Sequence, residues 1–400
     1  MLAETQVTGI EIDEAATLTG RLVSTPSLTL ARRQAPPDDR YGEAGMAALV
    51  RKWLSERGIP SEAEEIEPGR PQVLAKIGRG APEILLTSHL DTVPPVSWEA
   101  DPFTPRRDGH RLIGLGACDD KGPLAAMLLA FSRLAQDPNR PPGTVTLIGM
   151  VGEEMFGVGS VHLAQSGYRP DAAVVGEPTE LRVIRCECGN VRWQIVTRGR
   201  AAHGSRPWTG ESALYRMADV LRFLRDQVAP ERQARTHALV GSAAFNAGLI
   251  VGGAAINIVP DRCLLSVEMR ILPGEDPGVE MAAVNGAVAR AVGAEHLEFL
   301  PPVALNHPLH TPETDPLVSA FRTTLPAFHL DATPGGVSFG SDANRLAAVN
   351  IPCVLFGPGS IAQAHTRDEW VDIREVAVAA RVYEAATREY LSAGRSGAAS

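Results

Sequence analysis

The feature that most constrains this chain is a device it repeats. A short, almost wholly apolar run breaks off at a histidine or an acid, and a helical pattern follows. "EILLTSHLD" (83–91) ends this way in His89 and Asp91, "TVTLIGMVGEE" (144–154) in Glu153 and Glu154, and "DAAVVGEP" (171–178) in Glu177. A fourth run, "AAVNIPCVLFGPG" (347–359), is followed by "IAQAHTRDEW", which carries His365. Apolar runs that do not alternate suit strands covered on both faces. Between them, "GEAGMAALVRKWLSERG" has a helical stripe at Met46, Leu49, Val50 and Leu54, closed by Gly58. "KGPLAAMLLAFSRLAQD" is a second helix, with Pro123 in its first turn, where a missing N–H is harmless. The alternation predicts an α/β fold: a mostly parallel sheet with helices on both faces.

Near Cys186 the pattern changes. "RWQIVTRG" and "RCLLSVEMRIL" read as half-buried strands, the second with Cys263, Leu265, Val267, Met269 and Ile271 on one face. The helix "ESALYRMADVLRFLRDQV" lies between them, apolar at Leu214, Met217, Leu221, Leu224 and Val228. An inserted α+β domain over 186–300 is therefore expected, between two parts of a catalytic domain, 1–185 and 301–400. The Pro-rich "FLPPVALNHPLHTPETDP" returns the chain to the second part, and a last helix starts near Ile373. The tail "SAGRSGAAS" has a disordered composition.

A net charge of −9 without a basic run argues against a nucleic-acid partner. No apolar stretch reaches the length of a membrane span, so no membrane partner is expected. "MLAETQVTGIEIDEAATL" lacks the basic-then-apolar order of a secretory signal. The cysteines, Cys118, Cys186, Cys188, Cys263 and Cys353, are odd in number and scattered, which fits reduced thiols and a cytoplasmic setting. Cys186 and Cys188 are too isolated for a zinc knuckle. The glycines of "GLGAC" and "GVGS" do not complete a dinucleotide fingerprint, and no G-x-S-x-G elbow occurs. His110, His162, His237, His296, His307, His310 and His329 stand outside any ligand spacing and read as surface or satisfied histidines.

Strand ends remain as the place for chemistry. Residues i and i+2 of a strand share a face, so His89 and Asp91 can converge where theirs ends. In open α/β sheets, ligands bind outside the carboxyl ends of the strands. There the chain gathers His89, Asp91, Glu153, Glu154, Glu177 and His365. The loop "GACDDKG" adds Asp119 and Asp120. So much negative charge in one crevice needs cations, and imidazole with carboxylate is a zinc-type or cobalt-type donor set. Two ions sharing one carboxylate would activate water at neutral pH and clamp the oxygens of a reacting substrate. Of the neighbours Glu153 and Glu154, one would bind metal and the other would handle protons.

"SHLDTVP", "GACDDKG", "GEE", "VVGEPT", "GRAAHGSRP", "INIVPDRC" and "AHTRDEWV", in that order from Ser88 to Val371, resemble the signatures of the M20 family of di-zinc aminoacyl hydrolases. That family includes acetylornithine deacetylase, succinyl-diaminopimelate desuccinylase, the aminoacylases and glutamate carboxypeptidases. The resemblance implies two zinc ions per subunit, with cobalt or manganese as substitutes. It makes Asp119 the bridging ligand, with His89 and Glu177 on one ion and Glu154 and His365 on the other. It makes Glu153 the general base, and has Asp91 orient His89. It also implies that the inserted domain is a lid used for homodimerisation, in which His203 stabilises the oxyanion. Asn257 and Arg270 would then meet the substrate carboxylate and Gly340 its amide.

"GLGACDDKG" has Leu115 and Asp120 where the deacetylases and desuccinylases usually carry arginine and methionine, which is closer to carboxypeptidase-like members. "INIVPDRC" and "AHTRDEWV" lean toward acetylornithine deacetylase. The expected function is hydrolysis of the amide bond of an N-acyl amino acid, foremost an N-acetyl amino acid. A carboxypeptidase, dipeptidase or desuccinylase is the alternative, with a small molecule or short peptide as partner. A catalytically inactive metal- or ligand-binding homologue is the rival from another class. Retention of Glu153 and the whole ligand set speaks against it.

Overall fold

The computed structural model describes residues 7–30 and 38–393. Residues 1–6 of the N-terminal stretch, 31–37, and 394–400 of the tail lie outside them. The chain divides into two compact units: one takes the chain up to Arg185, Thr311–Gly335 and Ser341 onward, the other Cys186–His310 with Gly336–Gly340.

The sheet of the first unit runs in the order Ser61–Glu67, Arg70–Arg79, Gly143–Met150, Glu83–His89, Ala172–Gly176, Cys353–Phe356, with Ile184 bridging to Leu355 beyond. The four strands from Gly143–Met150 to Cys353–Phe356 pair in parallel. Every residue of Gly143–Met150 is buried, which is why its sequence does not alternate. The edge hairpin Ser61–Glu67/Arg70–Arg79 is antiparallel, and sequence reading does not detect it. Its outer strand, "SEAEEIE", is mostly exposed; charges there guard the sheet edge and erase the apolar signal.

Helices flank this sheet. Gly9–Val23, Lys121–Gln136, Pro316–Thr324 and Ile373–Ala393 form one packed group, and the short helices Val158–Gln165 and Ala343–Ala347 pack on each other. Gly9–Val23 starts with a reciprocal cap: the Glu11 N–H donates to Thr8 Oγ1, and the Thr8 N–H to Glu11 Oε2. Ala44–Ser55 buries Met46, Val50, Trp53 and Leu54, and Gly58 beyond it takes φ +71°. Because the central strands are parallel, their carboxyl ends lie on one side of the sheet. His89, Met150, Gly176 and Phe356 are their last residues.

The second unit is built on an antiparallel sheet in the order Phe245–Gly252, Arg262–Ile271, Gly189–Arg198, Leu297–Phe299. Ala304–Asn306 also pairs with Gly189–Arg198, so the chain stays in this unit until His310. Along Arg262–Ile271, Cys263, Leu265, Val267, Met269 and Ile271 are the buried positions. They join Val191, Trp193 and Ile195, and Met217 and Val220 from helix Ala213–Phe223, in one core. Trp193 Nε1–H donates to Asn285 Oδ1 of helix Pro277–Val292 at 2.9 Å. Among the described residues, no helix is long and apolar enough to cross a membrane.

Candidate metal centre

His89 is buried at the end of its strand, with Nε2 3.0 Å from Asp119 Oδ1. His365 Nε2 lies 3.5 Å from Asp119 Oδ2 and 3.0 Å from Glu154 Oε1. Thus the two oxygens of one carboxylate face two different imidazoles. One donor atom each from His89, Asp119 and Glu154 lie within 4.8 Å of one another. Glu177, just past its strand and 5% exposed, stands in the field of Asp120, Asp119 and Glu153.

The adjacent aspartates, joined by a cis peptide bond, part company. Asp120 turns its Oδ2 to the Ser88 hydroxyl at 2.5 Å and to the His89 N–H at 3.2 Å. Asp120 therefore pins the end of the strand, and Asp119 is the one that faces the imidazoles. Asp91 acts on two neighbours. Its main-chain carbonyl is 2.9 Å from His89 Nδ1, nearer than its carboxylate oxygen at 3.5 Å. That same Oδ1 accepts the Glu153 N–H at 3.1 Å. Through these contacts Asp91 links the histidine ligand candidate to the residue expected to move protons.

The electrostatics are those of a cluster built around positive charge. Burial raises the Glu153 carboxyl well above the usual range, with Asp342 and Glu154 adding to the rise against His89. Glu177 is pushed well up by burial, then by Asp120, Asp119 and Glu153; Glu154 is raised by burial and Asp119. Burial alone would lower His89, but Asp119 and Asp91 outweigh it and hold the imidazole well above its ordinary value. The hydrogen bond to Glu154 lifts His365 to about 9. Crowding thus disfavours ionising the carboxyls together, and the neighbouring carboxylates favour protonated imidazoles. Two imidazoles with several crowded carboxylates suit divalent ions of the zinc type better than an all-oxygen cation. The residues fit the group.

His203, Asn257, Arg270 and Gly340 belong to the second unit. His203 is exposed on the short strand Ala202–His203, opposite Ile258, with Nδ1 2.7 Å from Ser205 Oγ. Asn257 is its neighbour there, since the Gly204 N–H donates to the Asn257 carbonyl. Arg270 sits on strand Arg262–Ile271 of that unit's antiparallel sheet, with its guanidinium 2.9 Å from Glu268 Oε1.

Two groups escape sequence reading. Arg70 and Glu43 form a fully buried pair, and Arg70 Nη2 stands 3.9 Å from Asp91 Oδ2. Glu369 is buried against the "GACDDKG" loop and accepts three of its N–H groups. For Glu369 the available signal was an acid four residues after His365, at the mouth of a strand. For the pair there was none beyond two opposite charges far apart in sequence.

The model of peptidase family M20/M25/M40 matches residues 85–389. An acetylornithine deacetylase of Vibrio atlanticus (strain LGP32) is 27% identical over 382 residues, 92% of this chain and 96% of its own. Among solved structures, aminopeptidase PepT from Bacillus cereus aligns with a TM-score of 0.74 at 22% identity, covering 95% of this chain and 98% of that one. Bacillus subtilis YXEP, a dinuclear metal binding peptidase from the M20 family, aligns with a TM-score of 0.70 at 16% identity, covering 97% and 99%. The matched span takes in every candidate ligand, and the chain belongs to peptidase family M20/M25/M40, the metallopeptidases and amidohydrolases.

Proposed function

We propose that the chain hydrolyses the amide bond of an N-acyl amino acid, foremost an N-acetyl amino acid such as acetylornithine, with two zinc ions at the strand ends. The placement of Asp119 carries this reading: Oδ1 is 3.0 Å from His89 Nε2 and Oδ2 3.5 Å from His365 Nε2, as a shared ligand requires. His89 and Glu177 would complete one ion's protein ligands, and Glu154 and His365 the other's. When bound, the ions lower the pKa of water and stabilise negative charge on the amide oxygen.

The remaining work falls to side chains. Glu153 takes the proton from the attacking water and returns it to the leaving amine, a task helped by a carboxyl that burial holds above its ordinary value. Asp91 keeps His89 turned through its carbonyl and carboxylate and holds the Glu153 main chain. His203 stabilises the developing oxyanion, Asn257 and Arg270 receive the substrate carboxylate, and Gly340 its amide. The first unit is the catalytic domain, and the second a lid through which two copies dimerise in the cytoplasm. The exposed strand Phe245–Gly252, which ends its sheet among the described residues and has Leu249 and Val251 each 59% exposed, supports that dimer. In it His203 acts in trans.

Similarity along nearly the whole chain to an acetylornithine deacetylase supports the acetyl substrate. Leu115 and Asp120 favour a second reading, a carboxypeptidase or dipeptidase, with a desuccinylase next. Zinc-loaded protein assayed against N-acetylornithine, N-succinyl-diaminopimelate and dipeptides in one buffer separates these readings. The expected result is the highest kcat/KM on the N-acetyl substrate. A dipeptide turned over faster would overturn that substrate, and no turnover of any would favour a binding protein.

A further inference from the structure

Strand Trp370–Asp372 pairs antiparallel with Arg111–Ile113, Trp370 opposite Ile113. The ladder continues one residue further, where the Gly114 N–H donates to the Glu369 carbonyl at 3.0 Å. This register delivers the Glu369 side chain to the turn that leads into Asp119. Glu369 Oε2 accepts the Gly116 N–H at 2.9 Å. Its Oε1 accepts both the Cys118 N–H at 2.8 Å and the Asp119 N–H at 2.9 Å. Glu369 is 1% exposed, so these three main-chain N–H groups solvate its carboxyl in place of water, with Lys121 and His365 as the cationic groups in its field. A carboxylate removed from water needs such donors, and charge-assisted bonds are the stronger kind.

Gly116 has φ +78°, and a Cβ there would meet Thr92 Cγ2 at 2.5 Å, so the turn packs closely on Thr92 in a conformation that favours glycine. The last N–H that Glu369 fixes is that of Asp119, whose two oxygens face His89 and His365. His365 itself lies on the segment that carries Glu369, four residues upstream. One stretch, 365–369, thus bears a candidate ligand and the group that sets the position of another.

We infer that Glu369 is the positioning residue for Asp119, holding the 116–119 turn so that one carboxylate can serve two ions. This rests on the reading of Asp119 as the shared ligand. A carboxylate that merely stapled the loop would matter for stability and leave metal affinity alone.

The test compares full-length Glu369→Gln, Glu369→Asp, Asp119→Asn and Thr144→Val, each stripped of metal. Gln replaces one acceptor oxygen with an amide group that opposes an N–H. Asp keeps both oxygens but withdraws them by a methylene, and it decides the matter if the Gln variant fails to fold. Thr144→Val is a stability control, losing a 2.7 Å hydrogen bond to the Gly80 carbonyl at the start of the strand, away from the site. Zinc affinity is read by chelator competition, the cobalt form by its visible absorption, and activity as kcat and KM separately. Glu369→Gln should bind zinc roughly 10–100-fold more weakly, the usual effect of losing a partner behind a ligand. Its cobalt spectrum should shift and kcat should fall with KM nearly unchanged. Glu369→Asp should do the same to a smaller degree, while Thr144→Val keeps wild-type zinc affinity. The inference is overturned if the Glu369 variants keep wild-type affinity and spectrum while Asp119→Asn loses zinc. It is equally overturned if Thr144→Val loses as much affinity for the same drop in Tm. Asp119→Asn retaining two ions would instead remove the ligand assignment, and this inference with it.

Discussion

Glu153 and Glu154 are neighbours that stand in different surroundings. Glu154 Oε1 lies 3.0 Å from His365, whereas the main chain of Glu153 is held by Asp91 and its carboxyl is kept protonatable by burial. Glu153→Ala should therefore keep both metals while kcat falls by roughly 10²–10⁴, the usual contribution of a positioned acid or base. Asp119→Ala should lose metal instead; elemental analysis beside initial rates distinguishes them, and a Glu153→Ala enzyme at full rate without zinc would reverse the roles. At this scale the sequence shows which residue types converge, because each closes an apolar run. It does not separate Asp119 from Asp120 by spacing, since that depends on which way each side chain turns off adjacent backbone. Glu369 is marked only by its spacing from His365, for a related reason: its partners are main-chain N–H groups some 250 residues upstream, and these carry no side-chain signature.

Elements were legible in proportion to their burial. The doubly covered strands and the amphipathic helix Ala44–Ser55 announce themselves, and so does the alternation of Arg262–Ile271. The charged edge hairpin does not. Its inner strand begins at Arg70, whose guanidinium makes a two-pronged contact with Glu43, the residue that starts helix Ala44–Ser55. With side chains 1% and 0% exposed, this pair joins helix to strand beneath Asp91. Arg70→Met should cost about 3–5 kcal/mol, because it leaves the Glu43 carboxylate buried without its cation. Arg70→Met/Glu43→Met should recover much of that loss. Urea unfolding measures both, and an unimpaired single variant would show that the pair does not hold these elements together.

For the whole molecule, a change of strand rhythm near Cys186 marked a second body, and His203, Asn257, Arg270 and Gly340 all lie in it. The proposed role of these side chains toward substrate depends on assembly, which periodicity cannot convey. If two copies dimerise and His203 acts in trans, co-expressing Glu153→Ala with His203→Ala gives mixed dimers having one whole site. Random pairing makes half the dimers mixed, so roughly a quarter of wild-type activity should return. Background activity with mixed dimers verified would rule the trans arrangement out. The central claim, that this sheet end is a two-metal centre, is tested most directly by calorimetric titration of metal-stripped protein with zinc. At pH 7, run in two buffers of different ionisation enthalpy, it reports stoichiometry and protons together. His365, lifted to about 9 without metal, holds a proton at pH 7 that it must give up to become a ligand. Two ions per chain, with net proton release to the buffer, is the predicted result; a single saturable site, or none, would contradict it.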